Sequence, residues 1–126
     1  MIFSKSVRTC CLASLIATSA SPAAAQSCEA PANTRDMITC AQMDLNLADG
    51  DLNRTYQELK ASLDKKGSNT LRKAQRAWIA FRDAECTRQA DVARGGTMAP
   101  VVELECLHSL TVRRINDLSR NPLTGE

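Results

Sequence analysis

Aromatic side chains, histidine and long apolar runs are scarce in this chain of 126 residues. It contains one Trp, one Tyr, two Phe and one His. The longest mostly apolar run, about 11 residues near the N-terminus, is well short of the roughly 20 residues that span a bilayer, so no membrane span is predicted. Strand-type alternation of apolar and polar residues is also absent, which argues against a sheet.

The motifs of common enzymes and metal sites are incomplete or missing. There is no nucleophile elbow, glycine-rich phosphate loop or dinucleotide fingerprint. Glu105 and His108 have the Glu-x-x-His spacing of di-iron bundles, but those sites need a second such motif and two further Glu. No Cys-x-x-Cys pair suggests zinc. We therefore predict no catalytic residue, no cofactor and no metal.

The N-terminus has the pattern of a secretory signal peptide. Lys5 and Arg8 precede a mostly apolar stretch, and the small residues that end at Ala25 suit a cleavage site. The predicted organisation is a leader over residues 1–25 and one domain over 26–126. Removal of the leader leaves 14 basic and 14 acidic residues. This near-neutral balance argues against a nucleic-acid partner.

Helical spacing dominates the first half of the predicted domain. Asn33 or Thr34 can cap the first helix, and Gly67 after two lysines is a typical C-terminal stop. Gly50 lies inside this span and allows a kink. One apolar stripe with steps of three and four residues comprises Ala41, Leu45, Ala48, Leu52, Tyr56, Leu59 and Leu63.

Two further helices follow. Ser68 or Asn69 can cap the second, which is predicted to run to about Ala93 and to end at Gly95-Gly96. Thr97 can cap the third helix, and Pro100 suits its first turn. The apolar stripe of the second helix comprises Leu71, Ala74, Trp78 and Phe81; that of the third comprises Val101, Leu104, Leu107, Thr111, Ile115 and Leu118.

These stripes predict an all-α fold, a three-helix antiparallel bundle in which a long first helix packs against a helical hairpin. Trp78 and Phe81 are expected to fill its core. Arg82 and Asp83 flank that stripe, within reach of a hydrogen bond or ion pair between helices. Gln75 is a similar boundary position.

Four cysteines follow the leader, and an even number in an exported chain indicates disulfides. Cys86 and Cys106 lie at similar distances from the Gly95-Gly96 turn, about 14 Å at 1.5 Å per helical residue, so they are expected to face each other. The same geometry places Cys40 about 10 Å from Cys86 along the axis. Cys28 is therefore predicted to pair with Cys40.

Two features are candidates for partner contact. Asp44, Asp49 and Asp51 lie close together and suggest either an acidic binding surface or a solvated helix face. They lack the regular spacing and terminal Glu of a calcium loop. The Gly95-Gly96-Thr97 turn is the other candidate, as a protruding loop.

The order and spacing of several short motifs resemble the LprI-type lysozyme inhibitor family of exported bacterial proteins, over nearly the whole domain. The motifs are Cys28 and Cys40 twelve apart, Leu52-Asn53-x-x-Tyr56, Gln75-Arg76-x-Trp78, Arg82-Asp83-x-x-Cys86, Gly95-Gly96-Thr97, Cys106, and Leu110-Thr111-x-x-Arg114-x-x-x-Leu118.

The resemblance implies a small helical domain with disulfides that binds lysozyme as a protein partner. The founding type is a lipoprotein. The residues just before Cys28 lack the leucine of a lipidation signal, which favours a soluble periplasmic or secreted protein. The family offers no residue motif for inhibition, and its recognisable residues are interpreted as structural. An alternative from another class is a non-enzymatic structural or interaction module of the cell envelope.

Overall fold

The computed structural model describes residues 28–120, and the predicted leader over residues 1–25 lies outside them. The described chain forms three helices: α1 (Thr34–Ser62), α2 (Lys65–Ala90) and α3 (Ala99–Ser119). A short 3-10 turn, Asp91–Ala93, follows α2. These residues contain no strand, so the predicted all-α bundle is confirmed. None of these helices is long and apolar enough to cross a membrane.

The first helix begins at a side-chain cap and continues without a break. Asn33 accepts a hydrogen bond from the backbone N–H of Asp36 at 3.1 Å, which satisfies one of the unpaired donors of the first turn. The helix runs through Gly50 to Ser62, so the kink allowed there is absent. Neighbouring turns that pack on α3 compensate for the low helix propensity of one glycine.

The link between α1 and α2 comes earlier than predicted and is only two residues long. Leu63 ends α1, and Asp64 caps α2 by accepting from the backbone N–H of Gly67 at 2.7 Å. Gly67 therefore lies inside α2, and the predicted stop at Gly67 and the predicted caps Ser68 and Asn69 are wrong. A Cβ atom at position 67 would lie 3.1 Å from the Asp64 carboxylate, so glycine leaves room for this cap.

The second turn forms close to its predicted position. Gly95 adopts φ +79°, a conformation that glycine accepts without strain. Met98, rather than Thr97, occupies the N-cap position of α3, and no side chain caps this helix. The predicted Thr97 cap is wrong, whereas Pro100 lies in the first turn of α3 as expected.

The third helix is the centre of the bundle. It packs against both α1 and α2, whereas α1 and α2 have few contacts with each other. Leu52, Leu71 and Leu118 form the buried core cluster. Partly buried side chains from all three helices surround this cluster: Tyr56, Leu59, Trp78 and Ile115. Successive helices are antiparallel, so α1 and α3 run parallel.

Two disulfides fix the ends of helices. Cys28 bonds to Cys40, with their Cα atoms 5.5 Å apart, and ties the segment before α1 back onto it. Cys86 bonds to Cys106 at a Cα distance of 5.4 Å and joins α2 to α3. These are the two pairs that helix geometry predicts, and Cys86 is fully buried.

Candidate functional site

Trp78 lies between two guanidinium groups on the inward face of α2. The guanidinium carbon of Arg82 is 5.2 Å from the centre of the indole ring, and that of Arg114 is 5.7 Å away. Both distances are within the range of cation–π attraction. The ring also packs against the core cluster, so Trp78 is an internal contact and not a ligand platform.

Arg82 connects all three helices. Its Nη1 donates to Asp49 Oδ1 on α1 and to Thr111 Oγ1 on α3, both at 3.1 Å. Its Nε donates to Asp83 Oδ1 at 2.9 Å on its own helix. Thr111 is fully buried, so this charge-assisted bond satisfies a hydroxyl that water does not reach.

A second polar contact between helices lies further along the bundle. Arg114 Nε of α3 donates to Gln75 Oε1 of α2 at 3.0 Å. Gln75 is itself buried. Together with the Arg82 contacts, this bond places most of the predicted family-motif residues at interfaces between helices. Asn53 differs, because it is exposed on α1.

Phe81 does not fill the core, which corrects the sequence prediction. Its side chain is 57% exposed. The inward stripe of α2 passes instead through Leu71, Gln75, Trp78, Arg82 and Cys86, with steps of three and four residues. Two of these five are polar, and a search for apolar periodicity selects Phe81 in place of Arg82.

A groove follows the outer junction of α1 and α3. One part, of about 170 Å³, lies beside the first disulfide. A second, shallower part of about 320 Å³ continues along the same two helices, and Asp44 and His108 line both parts. Leu47, 70% exposed, and Val112, 38% exposed, add apolar surface to the second part.

The three predicted acidic residues do not form one surface. Asp44 and Asp51 both line the α1–α3 groove, and Asp51 also forms an ion pair with Arg54 at 2.7 Å. Asp49 faces α2, where Arg82 binds it. Glu105 lines the groove beside Asp44, and sequence reasoning missed it as a partner-binding candidate. Only the parallel pairing of α1 with α3 brings these two carboxylates to one groove.

Gly95, Gly96 and Thr97 are exposed at one tip of the bundle. Because α1 and α3 are parallel, this tip is at the same end as the start of α1 and the first disulfide. Gly96 N–H donates to the carbonyl of Ala93 at 2.9 Å, which closes the turn. Within residues 28–120, no three side chains of the His, Cys, Asp and Glu types converge in a way that could hold a metal ion.

Charge is unevenly distributed along the bundle. We call residues 28–53 and 77–112 the acidic end, and residues 54–76 and 113–120 the basic end; the boundary lies between the Arg82 and Arg114 contacts. The acidic end has ten Asp and Glu against four Arg, a formal charge of −6. The basic end has ten Lys and Arg against three Asp and Glu, a formal charge of +7. Near-neutral composition therefore conceals two strongly charged ends.

Comparison with known proteins identifies the family. The family model described as lysozyme inhibitor LprI matches residues 24–118. An uncharacterized protein of Rhizobium meliloti (strain 1021) is 35% identical over 122 residues, which cover 83% of this chain and 88% of the relative. No solved structure matches the chain. With a family match that extends from before Cys28 through α3 almost to its end, the chain belongs to the LprI lysozyme inhibitor family.

Proposed function

We propose that this protein is exported and inhibits lysozyme-type muramidases by covering their substrate cleft with its acidic end. The observation that carries the proposal is the acidic groove between α1 and α3 in a member of an inhibitor family. An inhibitor needs no catalytic group of its own. It needs a rigid surface complementary in charge to the enzyme.

The groove has the composition of a protein-binding surface. Asp44, Asp51 and Glu105 offer carboxylates to a cationic enzyme, and such charges raise association rates and exclude wrong partners. Leu47 and Val112 supply exposed apolar area beside them. The Gly95-Gly96-Thr97 turn lies at the same end and remains a predicted contact.

Export is part of the proposal and has two supports. Two disulfides in a domain this small are typical of an oxidising compartment such as the periplasm or the exterior. The sequence of residues 1–25 has the features of a cleaved leader. We therefore place the mature domain, residues 26–126, in the periplasm or outside the cell.

The direct test is lysis of a peptidoglycan suspension by several lysozyme types in the presence of the exported product of the full-length gene. We expect inhibition at a small molar excess of the protein. Unchanged lysis with every lysozyme type at micromolar excess would contradict the proposal. Recovery of a different envelope partner from periplasmic extract would then favour the interaction-module alternative.

Matched variants locate the inhibitory surface. Asp44→Asn with Glu105→Gln removes two carboxylates from the groove, and we expect weaker inhibition. Glu58→Gln with Asp117→Asn removes two exposed carboxylates from the basic end as a control. Equal inhibition by both double variants would place the inhibitory surface outside the groove.

A further inference from the structure

The lysines of the structure are concentrated in one place. All four lysines in residues 28–120 lie in the basic end, at Lys60, Lys65, Lys66 and Lys73. Arginine provides the cation in each of the five ion pairs found within these residues, and no lysine takes part. The lysine charges of the basic end are therefore not neutralised by carboxylates of the described chain.

Three of these lysines surround a shallow depression on the first turns of α2. Lys65, Lys66 and Lys73 line it together with Asn69 and Thr70, and its volume is about 680 Å³. Asp64 is the one acid in its lining, and its carboxylate caps the N-terminus of α2. The depression therefore presents several ammonium groups to solvent on one face.

An apolar side chain lies among these charges. Leu63, in the link between α1 and α2, is 38% exposed. It lies close to Gly67, where a Cβ atom would be 3.3 Å from its own Cβ. Lys60 precedes it, and Lys65 and Lys66 follow it. A leucine between lysines is the composition of surfaces that contact lipid headgroups and the first acyl carbons.

We propose that the basic end binds peripherally to an anionic phospholipid surface, with the link between α1 and α2 facing the bilayer. Lysines near such a surface are attracted by its negative potential, and Leu63 adds apolar contact. The acidic end then points away from the membrane. This inference is independent of lysozyme inhibition, because it concerns the opposite end of the bundle.

A nucleic acid fits the basic end less well. Single-stranded nucleic acids bind where bases stack on exposed aromatic side chains. Tyr56 and Trp78 pack against the core, and the exposed Phe81 belongs to the acidic end. The basic end has no exposed aromatic side chain among the residues that the structure describes.

The test is co-sedimentation of the exported full-length product with vesicles of equal parts phosphatidylglycerol and phosphatidylethanolamine. We expect binding in low salt and loss of binding at about 1 M salt, where the screening length falls to ~3 Å. Vesicles of phosphatidylcholine alone should not bind the protein. Equal binding to both vesicle types, or no binding to the anionic vesicles, would overturn the proposal.

Two triple variants with the same net charge separate a local surface from overall charge. Lys65→Gln, Lys66→Gln and Lys73→Gln together should weaken vesicle binding roughly 100-fold, since each lysine near an anionic surface is worth about fivefold. Arg35→Gln, Arg88→Gln and Arg94→Gln remove three charges from the acidic end and should leave binding nearly unchanged. Circular dichroism checks that both variants fold. Equal losses would contradict a docking surface at α2.

Other sources of the signal have distinct outcomes. Inorganic phosphate, added at the phosphate concentration of the vesicles, should not displace the protein; full displacement would indicate a simple anion site and overturn the proposal. Sedimentation without vesicles would indicate head-to-tail association of oppositely charged ends, which would also overturn it. Leu63→Ser should weaken binding while its salt dependence is kept.

Discussion

Arg82 is the side chain whose contacts are most widely distributed. It bonds to one residue on each of the three helices and lies against Trp78. Its side chain is 15% exposed, so these bonds form largely away from water. Hydrogen bonds that involve a charged group are worth about 1.5–3 kcal/mol each, more than neutral ones.

Replacing Arg82 with alanine should therefore lower the free energy of unfolding by about 3 kcal/mol, because Thr111 and Asp49 both lose their partner. Urea denaturation measures this loss. Arg88→Ala is the control on the same helix: its ion pair with Glu85 is exposed, and such pairs contribute about 0.5 kcal/mol. A smaller loss for Arg82→Ala than for Arg88→Ala would show that the Arg82 contacts are not stabilising.

Trp78 and Phe81 should respond very differently to truncation, although the sequence suggests the same role for both. Trp78→Ala removes a ring packed on the core cluster and should cost about 3–5 kcal/mol. Phe81→Ala changes a largely exposed side chain and should cost about 0.5 kcal/mol or less. Thermal unfolding of the two variants compares them directly. Similar losses would mean that Phe81 is buried in solution.

Glu85 gives the bundle an acid-sensitive contact. Hydrogen bonds from Arg88 and then from Gln89 lower the pKa of Glu85 from 4.5 to about 2. A lowered pKa in the folded state means that the contribution is fully present above pH 4.5 and is lost as pH falls through about 2. The stability difference between the wild type and Glu85→Gln should therefore shrink across that window. A difference that is constant with pH would contradict this.

The two disulfides should differ in their effect on the bundle. Removal of Cys86–Cys106 by a double alanine substitution releases α2 from α3 and should cost about 3 kcal/mol, from the chain entropy of a loop of this length. Cys28–Cys40 ties only a short segment outside the helices, and this segment can detach while the bundle stays folded. Its removal should cost less. Equal losses in denaturant titrations would show that the N-terminal segment is part of the cooperative unit.

Local periodicity was sufficient to predict the helices and the cysteine pairs, but not the helix ends. The stop at Gly67 was the expectation because glycine often follows a helix. The Asp64 cap prevails, since it satisfies a backbone donor at the start of α2. The groove was not predictable in the same way. Asp44 and Glu105 are distant in sequence and on different helices, and only the packing of α1 on α3 places them together.

Opposite charge at the two ends makes the interactions of the whole molecule depend on salt. If the acidic end binds a cationic lysozyme, its field should accelerate association, and such steering raises on-rates by about 10- to 1,000-fold. We expect the association rate constant, measured by surface plasmon resonance, to fall steeply as salt rises. The double variant Asp44→Asn with Glu105→Gln should show a shallower dependence. A rate constant independent of salt would contradict electrostatic steering.

The central position of α3 also determines when the protein can fold. A nascent chain releases α1 and α2 first, and these helices have few contacts with each other. Leu118, which completes the core cluster with Leu52 and Leu71, is among the last residues of α3. Until that residue emerges, the chain has helices but no place to bury them. A chain held in this state stays extended, the condition that passage through a narrow translocation channel requires.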